Sequence, residues 1–413
     1  MGDGAAGRDD TVPSDLRDRV RTVMEAHWRE VDGFGFTVPN ATVYPWQWLW
    51  DSCFHSIIWA ELGDGERAVR ELQSLFAHQD DDGFVPHVIH HGDPGHHADF
   101  WGRRGTSSIT QPPMYGHAIA QLLEQGVDVP AELVERAGLG FEFLLRMRRR
   151  DDGSGLVTVV HPWETGADNS PRWDDFCPGG FDVARWKQVK GDLLASVERS
   201  PSGAPLHNPG FPVAPIGFNA LVVFNVVALM GGQDERFGHL ADETVALARA
   251  IAARWDERLL TWVDGGPSAS GSGRIRTADA LLALTAIIQG EQAHTAYPQI
   301  ADPTAFGGGF GVRGVHPDEP AYEPRTYWRG PTWPQLAYLL YLRAWNWVQR
   351  PVEQYLVEST VAGARASGLA EYWDPEDGTG LGAVPQSWTG LALVMAAHPC
   401  RGFDGPEDAA APD

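Results

Sequence analysis

The chain has 413 residues, with 32 basic against 55 acidic side chains and a net charge of −23. That acidity argues against a nucleic-acid partner, whose phosphates need a basic face, and against docking on anionic membranes. No stretch approaches the roughly 20 apolar residues of a membrane-spanning helix, and the Gly- and Asp-rich start lacks a signal-peptide core.

Residues 1–12 and 402–413 are small, acidic and rich in Gly and Pro, and read as disordered tails around one domain at 13–401. Between them, helical periodicity recurs. An amphipathic helix is predicted over Leu16–Val31. Hairpins follow at Ser52–Leu62 with Gly65–His78, at Pro113–Gln125 with Pro130–Arg148, and at Phe218–Met230 with Asp234–Trp255. Two more are predicted at Thr277–Gln289 with Glu291–Ala301 and at Pro334–Val348 with Val352–Ser367, and Pro385–Ala397 closes the series. One helix of several pairs is nearly all apolar, as over 217–229, while its partner is striped with charge. The first belongs inside and the second outside. The pattern predicts an all-α toroid of helical hairpins. Strand-like runs are few, at Phe84–Ile89, Leu156–Val160 and Phe310–Val315, too few for a β/α barrel. Long loops at 79–112, 150–216 and 302–332 are expected to carry function.

Cys53, Cys177 and Cys400 are odd in number and far apart, without a disulfide framework, which fits a reducing cytoplasm. The 17 Trp residues often stand beside acids, Gly or Pro, as expected of a wet aromatic cleft. In Tyr44–His55, Trp46, Trp48 and Trp50 alternate and are expected on one face of an extended stretch, with Asp51-Ser52 as a helix N-cap; the functional reading is a sugar platform ending in Asp51. Asp80-Asp81-Asp82 fits a turn better than a Mg²⁺ site, because Gly83 and Pro86 break the helix. The run His87, His90, His91, His96 and His97 lacks zinc-ligand spacing and reads as a flap over the site, with His87 on substrate. Ser107–Pro113 is either a capping loop or a donor of Gln111 to the sugar pocket. The segment 325–334, fixed by Gly330, Pro331 and Pro334, is expected to form a substrate wall.

The most informative segment is 164–174, ETGADNSPRWD. It holds Glu164, Asp168, Arg172, Trp173 and Asp174 in a mixture too polar for a core and too aromatic for a solvated loop. Sugar sites need carboxylates for proton transfer and indole faces for pyranose rings. Glu371, followed by Tyr372-Trp373-Asp374-Pro375, supplies a second acid. No nucleophile elbow, zincin motif, Walker loop or Rossmann fingerprint is present.

These segments, with Tyr327–Pro331 and Gln386-Ser387-Trp388, resemble glycoside hydrolase family 63, and within it the bacterial glucosylglycerate and mannosylglycerate hydrolases. The resemblance implies an (α/α)₆ barrel and an inverting α-glycosidase that needs no metal or cofactor. It implies Asp168 as general acid and Glu371 as general base, about 6.5–9.5 Å apart to admit water. It also implies that Tyr44, Trp48, Trp50 and Asp51 hold the sugar, and that Tyr327, Trp328, Gly330 and Gln386 line the sugar and aglycone sites. Arg172, Trp173 and Trp388 are further substrate-binding candidates. The acid must stay protonated, so Asp168 should be raised by burial or by a carboxylate such as Glu164.

One departure stands out. Where the glycerate-specific enzymes are expected to bring an Arg to the glycerate carboxylate, residues 202–215 contain none, which leaves Arg185, Lys187, Lys190 and Arg329 as candidate cations. The partner expected is a small glycoside such as glucosylglycerate or mannosylglycerate; homo-oligomerisation is left open. Other readings are a trehalase-like or short-oligosaccharide α-glucosidase, a sugar-binding protein without catalysis, and a Mg²⁺-dependent terpene cyclase.

Overall fold

Six helices close on one another as the inner wall of a ring in the computed structural model, which describes residues 14–232, 235–266, 271–287, 290–346 and 350–398. In chain order the helices are α1 (Ser14–His27), α2 (Leu49–Glu61), α3 (Gly65–Phe76), α4 (Ala98–Trp101), α5 (Tyr115–Glu124), α6 (Ala131–Glu142) and α7 (Val183–Leu193). Then come α8 (Ile216–Gly232), α9 (Ala241–Ala252), α10 (Ala283–Ala286), α11 (Glu291–Ala301), α12 (Pro334–Asn346), α13 (Arg350–Ala366) and α14 (Leu391–Ala397). The inner wall runs α2, α5, α8, α10, α12, α14 and back to α2; α1, α3, α6, α9, α11 and α13 pack outside it. This is the expected all-α (α/α)₆ toroid. Among the described residues, no helix is long and apolar enough to cross a membrane.

Burial sorts the helices as their composition predicts. Every residue of α2 from Leu49 to Ala60 is buried, whereas α3 buries one stripe through Ala68, Leu72 and Leu75. Asp64 caps α3 by accepting the Arg67 N–H at 3.0 Å. Three polar side chains of the inner wall, Asn219, Asn225 and His117, are bonded across it. Asn219 of α8 exchanges two hydrogen bonds with the Val157 backbone, Asn225 accepts the His117 N–H at 2.8 Å, and His117 bonds Tyr338 at 2.8 Å.

Several boundaries differ from expectation. The first helix stops at His27, and Trp28–Val31 turns into a hairpin with Phe34–Thr37. The 277–289 helix is a 3₁₀ turn over 278–282 followed by the short α10. The closing helix begins at Leu391, after a 3₁₀ turn at Ser387–Gly390. The strand-like runs shrink to Val88-Ile89, isolated bridges at Val157, Val159 and Val315, and Gly311-Val312. Their apolar residues serve the core rather than a sheet. Asp51 is not a cap: α2 starts at Leu49, so Asp51 points from its first turn. The loop expected over 150–216 contains α7, capped by Asp182 accepting from Arg185 N–H at 2.9 Å. The tails at 1–12 and 402–413, Cys400, and the expected helix ends at Asp234, Gln289 and Val348 lie outside the described residues.

Candidate active site

Loops that lead into inner helices converge on a cavity of about 410 Å³. That size suits a small ligand. One side is aromatic and polar: Tyr44, Trp48, Trp50 and Asp51 ahead of and within α2, Gln111 ahead of α5, Tyr327 and Trp328 ahead of α12, and Gln386 and Trp388 ahead of α14. The lining also takes in Trp163, Gly166, Asp168 and Asn169, with Val183, Lys187 and Lys190 from α7. Glu371 faces the same space.

The aromatic wall is built by stacking. Trp328 lies on Trp333 at 3.8 Å and 7°, and Trp333 lies on Tyr372 at 4.5 Å. Trp328 adopts φ 61°, a left-handed conformation that costs a non-glycine residue about 1–3 kcal/mol and collects at functional sites. His87, also in the lining, contacts Trp48, Trp101 and Trp163. Burial lowers its pKa well below the usual value, so it stands as a neutral ring bonded to Ser107 Oγ at 2.6 Å. Gln111 Oε1 accepts the Trp50 N–H at 3.3 Å. In the same walls Trp48 Nε1 and Gln386 Oε1 are buried without a hydrogen-bond partner in the protein, as expected of groups that meet a ligand's hydroxyls.

Asp168 sits on a backbone pinned from both sides. Trp173 Nε1 donates to the Ala167 carbonyl and Trp186 Nε1 to the Asp168 carbonyl, each at 2.8 Å. Gly166 (φ 71°) is required beside it, since a Cβ there would stand 2.4 Å from the Trp50 ring. The Asp168 side chain opens to the cavity yet is enclosed by protein. Burial pushes its pKa up to about 6, while the Lys190 ammonium pulls against that rise.

Glu371 precedes the strand pair Tyr372-Trp373 with Gly380-Leu381. Its Oε1 accepts Tyr44 Oη–H at 3.0 Å and its Oε2 accepts the Ala383 N–H at 2.9 Å. Gly382 makes room, because a Cβ there would stand 2.4 Å from Oε2. Burial raises Glu371 to about 7; the Ala383 and Tyr44 bonds oppose the rise and the Asp168 charge adds to it. Asp51 is raised well above the carboxylate range by burial and by Glu371. Asp168 and Glu371 therefore titrate as a coupled pair.

Other expected site residues lie elsewhere. Arg172 is buried against Asp264, 2.9 Å from both oxygens, and against Asp279. Trp173 is buried in the core and Gly330 packs on Glu323; none of the three lines the cavity. Trp46 does not line the cavity with Trp48 and Trp50 but packs on His90 and His96. Glu164 does not raise Asp168: Arg148 holds both of its oxygens, and the Thr110 and Val160 N–H groups complete the set. The His run is not a loose flap, because His87, His90 and His91 are buried. Asp80 is held by Arg103 through two bonds, at 2.6 and 2.7 Å. Of the candidate cations, Arg329 is paired with Asp174 and Arg185 binds the carbonyls of Pro178 and Gly180, while Lys187 and Lys190 reach the cavity. Trp101 carries no motif that marks it as a site residue; the helical stripe Val183, Lys187, Lys190 is the signal that could have found α7.

Residues 44–389 match the family model described as the mannosylglycerate hydrolase MGH1-like glycoside hydrolase domain. The chain is similar to the mannosylglycerate hydrolase of Thermus thermophilus, at 30% identity over 87% of this chain and 96% of that one. It is also similar to the glucosylglycerate hydrolase of Mycolicibacterium hassiacum, at 26% identity over 87% and 93%. A crystal structure of family 63 mannosylglycerate hydrolase from Thermus thermophilus, in complex with Tris and D-glycerate, superposes with a TM-score of 0.80. The identity is 27%, over 92% of this chain and 99% of that one.

Proposed function

Because the chain belongs to the mannosylglycerate hydrolase MGH1-like glycoside hydrolases of family 63, we propose that it is an inverting α-glycosidase whose substrate is a small α-mannoside or α-glucoside of an acidic aglycone such as glycerate. One observation carries this reading: two carboxyl groups of raised pKa, Asp168 and Glu371, face one aromatic cavity from different loops.

Their surroundings divide the labour. Hydrogen bonds to a carboxylate favour its ionised form. Glu371 has two such donors, Tyr44 Oη–H and Ala383 N–H, and serves as the general base. Asp168 receives no side-chain donor among the described residues and serves as the general acid. Glu371 takes a proton from water as the water oxygen forms its bond to the anomeric carbon. The glycosidic C–O bond breaks on the opposite face, and its oxygen receives the Asp168 proton. Trp48, Trp50, Trp388 and Trp328 supply faces for the sugar ring, and Asp51, Gln111 and Gln386 supply partners for its hydroxyls. The aglycone then lies on the Asp168 side, where Lys187 and Lys190 offer its carboxylate charge-assisted bonds in place of the missing Arg. The buried thiols of Cys53 and Cys177 support a reducing cytoplasm as the setting.

The test is incubation with mannosylglycerate, glucosylglycerate, trehalose and maltose, with the released anomer followed by proton NMR. Release of the β-anomer from the glycerate glycosides is expected. Release of the α-anomer first would refute inversion, and cleavage of trehalose or maltose in their place would refute the acidic aglycone.

A further inference from the structure

Asp168 shares its wall of the cavity with a cation. Val183, Lys187 and Lys190 fall at i, i+4 and i+7 on α7, so one helix face turns all three toward the cavity. Lys187 is exposed at the rim. Lys190 is buried: its ammonium donates to Asn169 Oδ1 at 2.9 Å and lies 5.5 Å from the Trp163 ring centre. Asn169 follows Asp168 directly, so this bond ties the ammonium to the acid's own loop.

We propose that Lys190 makes the acid step conditional on a negatively charged aglycone: a carboxylate bound at Lys190 and Lys187 compensates the ammonium beside Asp168, and Asp168 then keeps the proton it has to deliver. The inference rests on the glycosidase reading above and adds a control device to it. A neutral aglycone leaves the ammonium uncompensated, so its glycoside binds but turns over slowly at neutral pH. Discrimination then falls on kcat more than on KM, beyond what a contact made equally in ground and transition states can give.

The other groups around Asp168 do not supply this control. Glu371 and Tyr44 line the same cavity, and each is raised in part by the Asp168 charge. Tyr327 is a neutral phenol whose pKa is pushed well up. His87 and His161 are kept neutral by burial. Asp51 is raised by the Glu371 charge, and Arg329 is paired with Asp174 and donates at 3.5 Å to the Asn169 carbonyl, not to the Asp168 side chain. Lys190 is the cation that opposes the rise of Asp168, and Asp168 in turn supports the charge on Lys190.

The experiment compares α-mannosylglycerate with α-mannosylglycerol, the same glycoside with its carboxylate reduced to an alcohol. The pH profile of kcat/KM reports groups of the free enzyme, and that of kcat reports the complex. In the wild type, the alkaline limb of kcat is expected at higher pH for the anionic glycoside, with kcat at pH 8 at least about tenfold higher (one pH unit of displacement). In Lys190→Met the alkaline limb of kcat/KM should move up and the gap between the glycosides should close, while Lys190→Arg should keep the gap. Coincident limbs in the wild type, or a gap that survives in Lys190→Met, would overturn the proposal. If neither glycoside is cleaved, the substrate reading fails, and the coupling is read without turnover. The carboxyl ¹³C resonance of Asp168, identified by its loss in Asp168→Asn, is titrated with and without D-glycerate. A rise in its midpoint that needs Lys190 sustains the proposal; an unchanged midpoint ends it.

Discussion

Glu164 and Asp168 stand on the same loop, and their surroundings give them opposite duties. Glu164 is fully buried, and its two oxygens are occupied by Arg148 and by two backbone N–H groups. Asp168 is enclosed without a side-chain donor, opens on the cavity, and is pushed up to about 6 by burial. A buried charge with every lone pair answered braces a fold, and one left under-answered shifts its pKa and becomes a proton carrier. Arg172 with Asp264 and Asp279 is a second brace, although burial still raises Asp264, and Glu371 repeats the second case with its two donors.

The largest effect expected breaks the contrast on the catalytic side. Asp168→Asn and Glu371→Gln should each lower kcat by about 10²–10⁴-fold, the usual contribution of a general acid or base. Neither should cost stability, since each removes a buried ionisable group. Steady-state rates and thermal melts of the same preparations check both halves. A melt lowered as far as that of a brace variant would place Asp168 with Glu164.

The brace side should respond the other way. Arg148→Met leaves the Glu164 carboxylate buried and unpaired, which costs about 3–5 kcal/mol. Urea unfolding would show that loss. The protein that remains folded should keep the wild-type pH profile, because Glu164 does not set the Asp168 proton affinity. A displaced profile would contradict the division.

A smaller change sharpens the comparison within the cavity. The Tyr44 hydroxyl bond helps keep Glu371 ionised. Tyr44→Phe should raise the Glu371 pKa and move the acidic limb of kcat/KM to higher pH. Activity below that limb should fall by about tenfold, the low end of the value of a hydrogen bond to a charged group. A profile that falls uniformly at all pH would mean that Tyr44 holds substrate only.

Much of this was readable in the chain. The ring was legible because inner and outer helices differ in apolar coverage, and α8 and α9 show the contrast clearly. The acids were legible because a polar, aromatic loop such as 164–174 has few other uses. The brace roles of Arg172 and Glu164 were not, because their partners Asp264, Asp279 and Arg148 lie elsewhere in the chain and no local pattern links them. Helix α7 was hidden because Gly, Pro and Asp flank it and its stripe mixes Val, Trp and Lys. The Trp46–Trp50 alternation does not form one strand face because the chain turns into α2 one residue after Trp48, and Trp50 reaches the cavity from the helix.

Glu71 tests whether an under-answered carboxyl is enough to make a catalyst. It lies fully buried on α3, accepting the Thr37 N–H at 2.6 Å, and its nearest charged-type neighbour is His55, 3.9 Å away. Burial keeps His55 neutral by lowering it to about 3, so no cation answers Glu71, and burial raises the carboxyl to about 8. A carboxyl whose folded pKa lies above its unfolded value, near 4.3, binds its proton more tightly in the folded state. Its contribution to stability is complete below the unfolded pKa and is lost as pH rises through about 8. Glu71→Gln fixes the neutral form. It should flatten the fall in urea stability between pH 5 and pH 8, leave the variant the more stable protein at pH 8, and keep kcat near wild type. An unchanged slope would mean that Glu71 is ionised in the fold. A collapse of kcat with stability preserved would mean that raised carboxyls act in catalysis here without facing the cavity, and the contrast between Glu164 and Asp168 would then need access to substrate removed from its terms.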